Sequence, residues 1–230
     1  MAQFHFVEDY EKHVANLKAT HSLDDAMALA VGGSYHEIGK IESDILRYAG
    51  LKNGEAIFDL GCGSGRLASA LGKSIDGIDY FGVDVVQDLL DYAAMKSPRN
   101  FTFKLHRELS IPLDDASVDV ACAFSVFTHL LPQETFIYLD EMRRILKPGG
   151  RIVFSFLEFH APYHWNIFEN TVSQQRHNTT PHLNMFIERN VISVWADKLD
   201  LKIREFLDGN QSVSIAPLGQ SISILEKNNI

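Results

Sequence analysis

The stretch Ile57-Phe58-Asp59-Leu60-Gly61-Cys62-Gly63-Ser64-Gly65-Arg66-Leu67 narrows the choice of fold more than any other part of the chain. An apolar run ends in an acid, three glycines alternate with small residues, and helix-forming residues follow. That order reads as a strand, a tight turn and a helix start. The glycines let bare backbone approach a bound group, and the helix start offers unpaired N–H groups. Asp84 follows 19 residues after Gly65, at the end of the next apolar run, Tyr80-Phe81-Gly82-Val83. An acid about 20 residues beyond such a turn is placed to accept hydrogen bonds from ribose hydroxyls. It is equally a natural N-cap for a helix beginning at Val85.

Apolar runs at 56–60, 80–84, 101–105, 118–124 and 151–157 read as strands, with helical spacing between them at 65–72, 86–96 and 133–146. Near-continuous apolar strands alternating with helices predict a parallel sheet covered on both faces. Pro148-Gly149-Gly150 separates the last of these helices from the fifth strand. Upstream, residues 8–30 read as one helix. Gly32-Gly33 breaks it, and Ser34 with Glu37 predicts a capping box for a second helix that buries Ile38, Ile41, Ile45 and Leu46 and stops near Gly50. Residues 159–184 interrupt the rhythm with a long polar, aromatic stretch, the kind of loop that is usually functional. Helical spacing resumes at 187–199, and strand-like alternation at 201–207 and 221–225. The chain therefore divides into a helical cap over 1–50 and a main domain over 51–230, with 159–184 as a lid-like insertion.

Composition removes several classes of function. With 230 residues the chain suits one main core. A net charge of −9 argues against a nucleic-acid partner, which needs a basic footprint. Two cysteines, Cys62 and Cys122, make no disulfide scaffold and suit a reducing cytoplasm. The first ten residues do not read as a signal peptide, and no window approaches 18 uncharged apolar residues, so no membrane span is expected.

Three further stretches follow the glycine turn and Asp84 in order. They are Ile111-Pro112-Leu113-Asp114-Asp115-Ala116-Ser117-Val118-Asp119-Val120, Phe124-Ser125-Val126-Phe127-Thr128-His129-Leu130 and Leu139-Asp140-Glu141-Met142-Arg143-Arg144-Ile145-Leu146-Lys147-Pro148-Gly149-Gly150. Over about residues 51–158 the chain resembles the class I S-adenosylmethionine (SAM)-dependent methyltransferases. The resemblance implies an α/β fold of three layers, Rossmann-like, with a mostly parallel seven-stranded sheet whose last strand is antiparallel. It implies SAM as cofactor and S-adenosylhomocysteine (SAH) as product.

The resemblance also implies roles for particular residues. Gly61, Cys62 and Gly63 would carry the amino-acid tail of SAM past bare backbone. Asp59 would favour its ammonium, and Ser125 would offer backbone groups. Arg66 would meet the tail carboxylate, unless it is an ordinary exposed helix arginine. Asp84 would hold both ribose hydroxyls and Val85 would pack on the adenine. Glu108, with Leu109, would border the adenine amino group, one position out of the family's usual register.

A nicotinamide turn would read G-x-G-x-x-G, but Arg66 takes the third glycine's place and Asp59 would repel a pyrophosphate. Gly72-Lys73-Ser74 resembles the end of a P-loop, yet Leu67 stands where that loop needs glycine. A polyamine synthase on the same fold would need acids for a cationic substrate, and none is evident.

Methyl transfer from a sulfonium is governed by positioning, and a hydroxyl nucleophile also needs a base. His129, just after the fourth strand, is the candidate base or orienter; packing or capping the next helix is the competing role. His160, His164, His177 and His182 match no metal-ligand spacing, and no metal is expected. Tyr163, His164 and Trp165 are candidate acceptor contacts, with coverage of the core's open edge as the alternative. In the family resembled, an Asn-Pro-Pro-Tyr or Asp-Pro-Pro-Tyr run after the fourth strand accompanies methylation of amide or adenine amino nitrogens; its absence, with the acidic charge, implies a small-molecule or glycan acceptor methylated at oxygen. A monomer or homodimer is expected. A SAM-binding module without turnover is the second expectation.

Overall fold

Neighbouring residues of a strand point to opposite faces of a sheet, and here both faces are apolar. Ile57 and Phe58, Val120 and Ala121, Val153 and Phe154, and Ile224 and Leu225 divide in this way between two hydrophobic clusters. The computed structural model describes residues 7–177 and 184–229. Its strands are β1 (Ala56–Leu60), β2 (Asp79–Asp84), β3 (Thr102–Leu105), β4 (Val118–Ala123), β5 (Leu146–Phe156), β6 (Leu201–Leu207) and β7 (Ser221–Lys227). They form one seven-stranded sheet of order β3-β2-β1-β4-β5-β7-β6. Strands β1 to β5 pair in parallel, and β7 runs antiparallel to both β5 and β6. The expected three-layer, mostly parallel architecture is what the chain adopts.

One face is covered by α3 (Tyr35–Tyr48) and α4 (Arg66–Ser74), which contribute Ile41, Ile45, Leu46, Leu67 and Leu71. The other is covered by α6 (Pro132–Ile145) and α8 (Arg189–Lys198), through Leu139, Met142, Ile192 and Ala196. Each fully buried side chain of this size contributes about 1.5–3 kcal/mol. Helices α3 and α4 approach so closely that a Cβ on Gly39 would stand 2.3 Å from the Arg66 carbonyl oxygen.

Four sequence expectations are corrected. The helix expected over 8–30 is two helices, α1 (Val7–Thr20) and α2 (Leu23–Ala30), because the Ser22 hydroxyl accepts from Asp25 N–H at 3.2 Å and starts a new one. Ser34 does not cap α3 with its side chain; it sits in the left-handed region at φ 44. Strand β5 begins at Leu146, so Pro148-Gly149-Gly150 lies inside it, and its register with β4 shifts between Val118 and Val120. Much of 159–184 is helical: α7 spans Pro162–Arg176. Proline at a helix's first turn has the φ the helix needs and no N–H to waste. His182 lies outside the described residues.

Helices α1 and α2 pack on α5 (Gln87–Lys96) through Val14, Met27, Ala30, Leu89 and Tyr92. Ion pairs Lys18–Asp88 (2.8 Å), Lys96–Asp24 (3.0 Å) and Arg107–Glu11 rim that contact. Among the described residues, no helix is long and apolar enough to cross a membrane.

Candidate functional site

The strand order reverses between β1 and β4, and in open α/β sheets the crevice beyond the strand ends at such a point is where ligands bind. The glycine turn leaves β1 at this place. Gly61, Gly63 and Gly65 take φ of 67°, 55° and 81°. A Cβ on Gly61 would stand 2.5 Å from Val126 Cγ2, and one on Gly63 would stand 2.7 Å from Val31 Cγ1. The turn is therefore pressed between the exit of β4 and the link joining α2 to α3. Cys62 is buried, and its N–H donates to the Val83 carbonyl at 2.9 Å, tying the turn to β2. Burial pushes its thiol pKa well up.

Asp84 ends β2 with its carboxylate buried. Oδ2 accepts from Gly63 N–H at 2.9 Å and Oδ1 from Val86 N–H at 3.0 Å. A carboxylate offers about four acceptor positions. These backbone bonds use one on each oxygen, and the carboxylate keeps acceptor positions that fit adjacent hydroxyls. Burial raises the Asp84 pKa, and the backbone N–H groups of Val86, Gly63 and Val85, with the Arg107 charge, oppose the rise. The competing capping role is not what the structure draws, since α5 begins at Gln87 with no side-chain cap. Next to Asp84, Val85 is half-buried and its carbonyl accepts from Arg107 Nε at 2.9 Å. Glu108 is exposed and its carbonyl accepts from the Tyr138 hydroxyl at 2.8 Å, while Leu109 packs against the core.

Two charged residues expected at the SAM tail point into the protein. Arg66 donates from Nε to Glu42 at 2.9 Å and from Nη1 to the Val31 carbonyl at 2.5 Å, and Nη2 stands 2.6 Å from the same Glu42 oxygen. Glu42 is itself buried. The guanidinium is thus neither an ordinary exposed helix arginine nor at liberty to meet a ligand carboxylate. Asp59 is 3% exposed and accepts from the Tyr80 hydroxyl at 2.5 Å and the Cys122 thiol at 3.5 Å. Burial, reinforced by Glu42, pushes its pKa up to about 7, against the pull of Tyr80.

On the other side of the reversal, Ser125 follows β4 at φ 59. Non-glycine residues held there cost about 1–3 kcal/mol and cluster at functional sites. A three-residue ring fixes it. Ser125 N–H donates to Ser155 Oγ (2.7 Å), Ser155 Oγ donates to Gln220 Oε1 (2.6 Å), and Gln220 Nε2 donates to Ser125 Oγ (3.1 Å). His129 ends a short 3-10 turn, Phe127–His129, is half-buried, and donates its backbone N–H to the Val126 carbonyl at 2.9 Å.

Beyond β5, Glu158 is fully buried. It accepts from Arg189 Nε and Nη2, both at 2.9 Å, and from Ser221 Oγ at 2.5 Å. Arg189 also pairs with Asp208. His160 Nδ1 lies 3.6 Å from a Glu158 oxygen and 3.5 Å from a Glu188 oxygen. The sequence shows no clustered carboxylates with the histidines; folding brings Glu188 to join Glu158 beside His160. Arg189 already neutralises Glu158, which suits this trio poorly to a dication. His177 sits apart, its Nδ1 2.7 Å from the Ser173 carbonyl at the end of α7.

Of the three candidate acceptor contacts, only Trp165 faces outward. His164 is fully buried: Nδ1 accepts from Glu158 N–H at 3.0 Å, so Nε2 carries the proton it shares with the Gly219 carbonyl at 3.1 Å. Burial lowers its pKa. The Tyr163 hydroxyl accepts from Gly209 N–H at 2.7 Å. Ser155, Gln220, Glu158, Glu188 and Arg189 are absent from the sequence-based set, and no local motif marks them.

Residues 58–154 match the family model described as "Methyltransferase domain". An uncharacterised methyltransferase of Schizosaccharomyces pombe is 30% identical over 118 residues, 47% of this chain and 41% of that protein. The 2-phytyl-1,4-naphtoquinone methyltransferase of Nostoc punctiforme is 30% identical over 125 residues, 51% of this chain and 52% of that protein. The chain thus spans about half, or less, of the length of these curated relatives. Among solved structures, the magnesium protoporphyrin IX methyltransferase of Synechocystis, with bound SAH, superposes with a TM-score of 0.63 at 16% identity, covering 88% of this chain and 86% of that one. At such identity the likeness shows the fold alone.

Proposed function

Because residues 58–154 are a class I SAM-dependent methyltransferase domain, with SAM as its cofactor, we propose that the protein methylates a small-molecule acceptor at oxygen. The observation that carries the reading is Asp84, buried beside the glycine cradle with acceptor positions that its backbone bonds do not use.

In this reading the Asp84 oxygens accept from the two ribose hydroxyls, each bond to the charged acceptor contributing about 1.5–3 kcal/mol. Backbone at Gly61–Gly63 lines the amino-acid tail. Val85 packs on the adenine, with the Glu108–Leu109 loop at its edge. Arg66 is left out of the set, since Glu42 and the Val31 carbonyl hold it. When bound, the cofactor supplies an electrophilic methyl carbon, and the carbon–sulfur electron pair stays with the departing thioether as the carbon–oxygen bond forms. His129 takes the acceptor hydroxyl's proton and passes it to solvent. The ring of Ser125, Ser155 and Gln220 holds the β4 exit, and so His129, at a fixed height over the crevice.

Release of SAH from SAM across a panel of hydroxylated acceptors tests the proposal. Turnover that falls at least a hundredfold in His129→Ala, with SAH affinity kept, supports His129 as the base. Tight SAH binding without release of product on any acceptor would leave a SAM-binding module instead.

A further inference from the structure

We propose that the acceptor carries a flat aromatic ring and that this ring docks on Phe159, Trp165, Phe168 and Phe186. The inference rests on the methyl-transfer reading and names the acceptor class for the same crevice. Phe159 follows β5, Trp165 and Phe168 belong to α7, and Phe186 lies in the strap that leads into α8. The strap is pinned on either side of Phe186: Met185 N–H donates to the Thr128 carbonyl and Ile187 N–H to the Leu157 carbonyl, each at 2.8 Å. Thr128 immediately precedes His129. The four rings therefore stand beyond the ends of β4 and β5, on the same rim as Ser125 and His129.

The rings are in mutual contact but not covered. Phe159 stacks on Phe186 with centroids 4.7 Å apart and planes 18° from parallel. Phe168 meets Phe159 edge-on at 5.1 Å and Trp165 at 5.1 Å with the planes tilted by 47°. Phe159 remains 40% exposed and Trp165 43% exposed. Only His164 is buried in the fifteen residues of α7, so the helix has not spent its apolar side chains on the core. The Trp165 indole N–H is already bonded to Glu169 at 3.0 Å, which leaves its faces for apolar contact. Offset and edge-on contacts with a further ring extend such a cluster naturally.

Calorimetry with the intact protein tests this, using 2-naphthol, cyclohexylmethanol and methyl glucoside as probes, each with and without SAH. We expect 2-naphthol to bind at least tenfold more tightly than either other probe. Phe159→Ala and Trp165→Ala should each weaken it about threefold, and the double variant about tenfold, with SAH affinity within twofold of the parent. That SAH affinity also reports that the variants fold. Equal affinity for methyl glucoside and 2-naphthol, or full 2-naphthol affinity in the double variant, overturns the proposal. So does retention on phosphatidylglycerol vesicles without 2-naphthol binding, which would give this face to a membrane. Failure of SAH to bind the parent protein would strike the cofactor reading instead, and the probe arm without SAH would still decide the ring.

Discussion

The wall of the crevice at the exits of β1 and β2 is made of backbone, whereas the wall at the exits of β4 and β5 is made of side chains. At the first, three glycines and two N–H bonds to Asp84 set the shape; these groups all lie between residues 61 and 86, and the Val126 and Val31 side chains press on them. At the second, Ser125 is fixed by Ser155 and Gln220, and Glu158 by Arg189 and Ser221. The first wall has one shape because a Cβ at Gly61 or Gly63 has no space. The second can change ligand by exchanging exposed rings without disturbing the sheet. A cofactor common to many reactions suits the first construction, and an acceptor particular to one suits the second.

Arg66 offers the largest test of this division, because it decides whether a charged side chain belongs to the backbone wall. Its pair with Glu42 is buried, and removing one partner of such a pair costs about 3–5 kcal/mol. Arg66→Ala should lose stability of that order in urea unfolding, while the folded fraction binds SAH within about threefold of the parent. A large loss of SAH affinity at unchanged stability would restore the arginine to the cofactor's tail.

Asp59 sharpens the same boundary through pH. Its carboxyl is raised from an ordinary 3.8 to about 7 in the folded protein. Below the lower value both folded and unfolded chains hold the proton and nothing is lost. As pH climbs towards 7 the unfolded chain ionises first, so the folded state loses ground, by about 1.4 kcal/mol per unit of pKa difference. Asp59→Asn is free of that cost, so its stability relative to the parent should improve by about 4 kcal/mol between pH 4 and pH 8. Parallel stability curves for the two proteins would show that Asp59 is solvated, and so open to a ligand.

Asp84→Ala comes next. Loss of two hydroxyl contacts should weaken SAH about a hundredfold, with the fold intact and the affinity for 2-naphthol within twofold. A matching loss of ring binding would mean that the two walls are coupled.

The backbone wall was legible in the sequence because its determinants are local. The glycine spacing and the distance to Asp84 can be read from one strand–turn–helix unit and the strand after it, and the alternation of apolar runs with helices places the five parallel strands. What failed to show there were partners brought in from afar. Glu42 is 24 residues from Arg66, and nothing near Arg66 announces a buried acid. The acceptor wall fared worse, for the same physical reason: Gln220 reaches Ser125 across 95 positions and Arg189 reaches Glu158 across 31. Proline and polar content made α7 read as a loop, although a proline at its first turn is a sound way to begin a helix.

The smallest expected effect bears on the side-chain wall. Gln220 accepts from Ser155 Oγ and donates to Ser125 Oγ, both neutral contacts. Each is worth about 0.5–1.5 kcal/mol, so Gln220→Ala should lower stability by about 1–2 kcal/mol. The bond from Ser125 N–H to Ser155 Oγ survives the change, so the strained backbone keeps one of its two restraints. SAH affinity should stay within about threefold, because the Asp84 bonds to Gly63 and Val86 survive the change and Ser125 would offer the tail only backbone groups. If the β4 exit is positioned by side chains, turnover should nonetheless fall several-fold, since His129 ends the short turn that follows Ser125. Turnover unchanged in a destabilised Gln220→Ala protein would show that backbone alone holds this exit, and the contrast between the two walls would vanish.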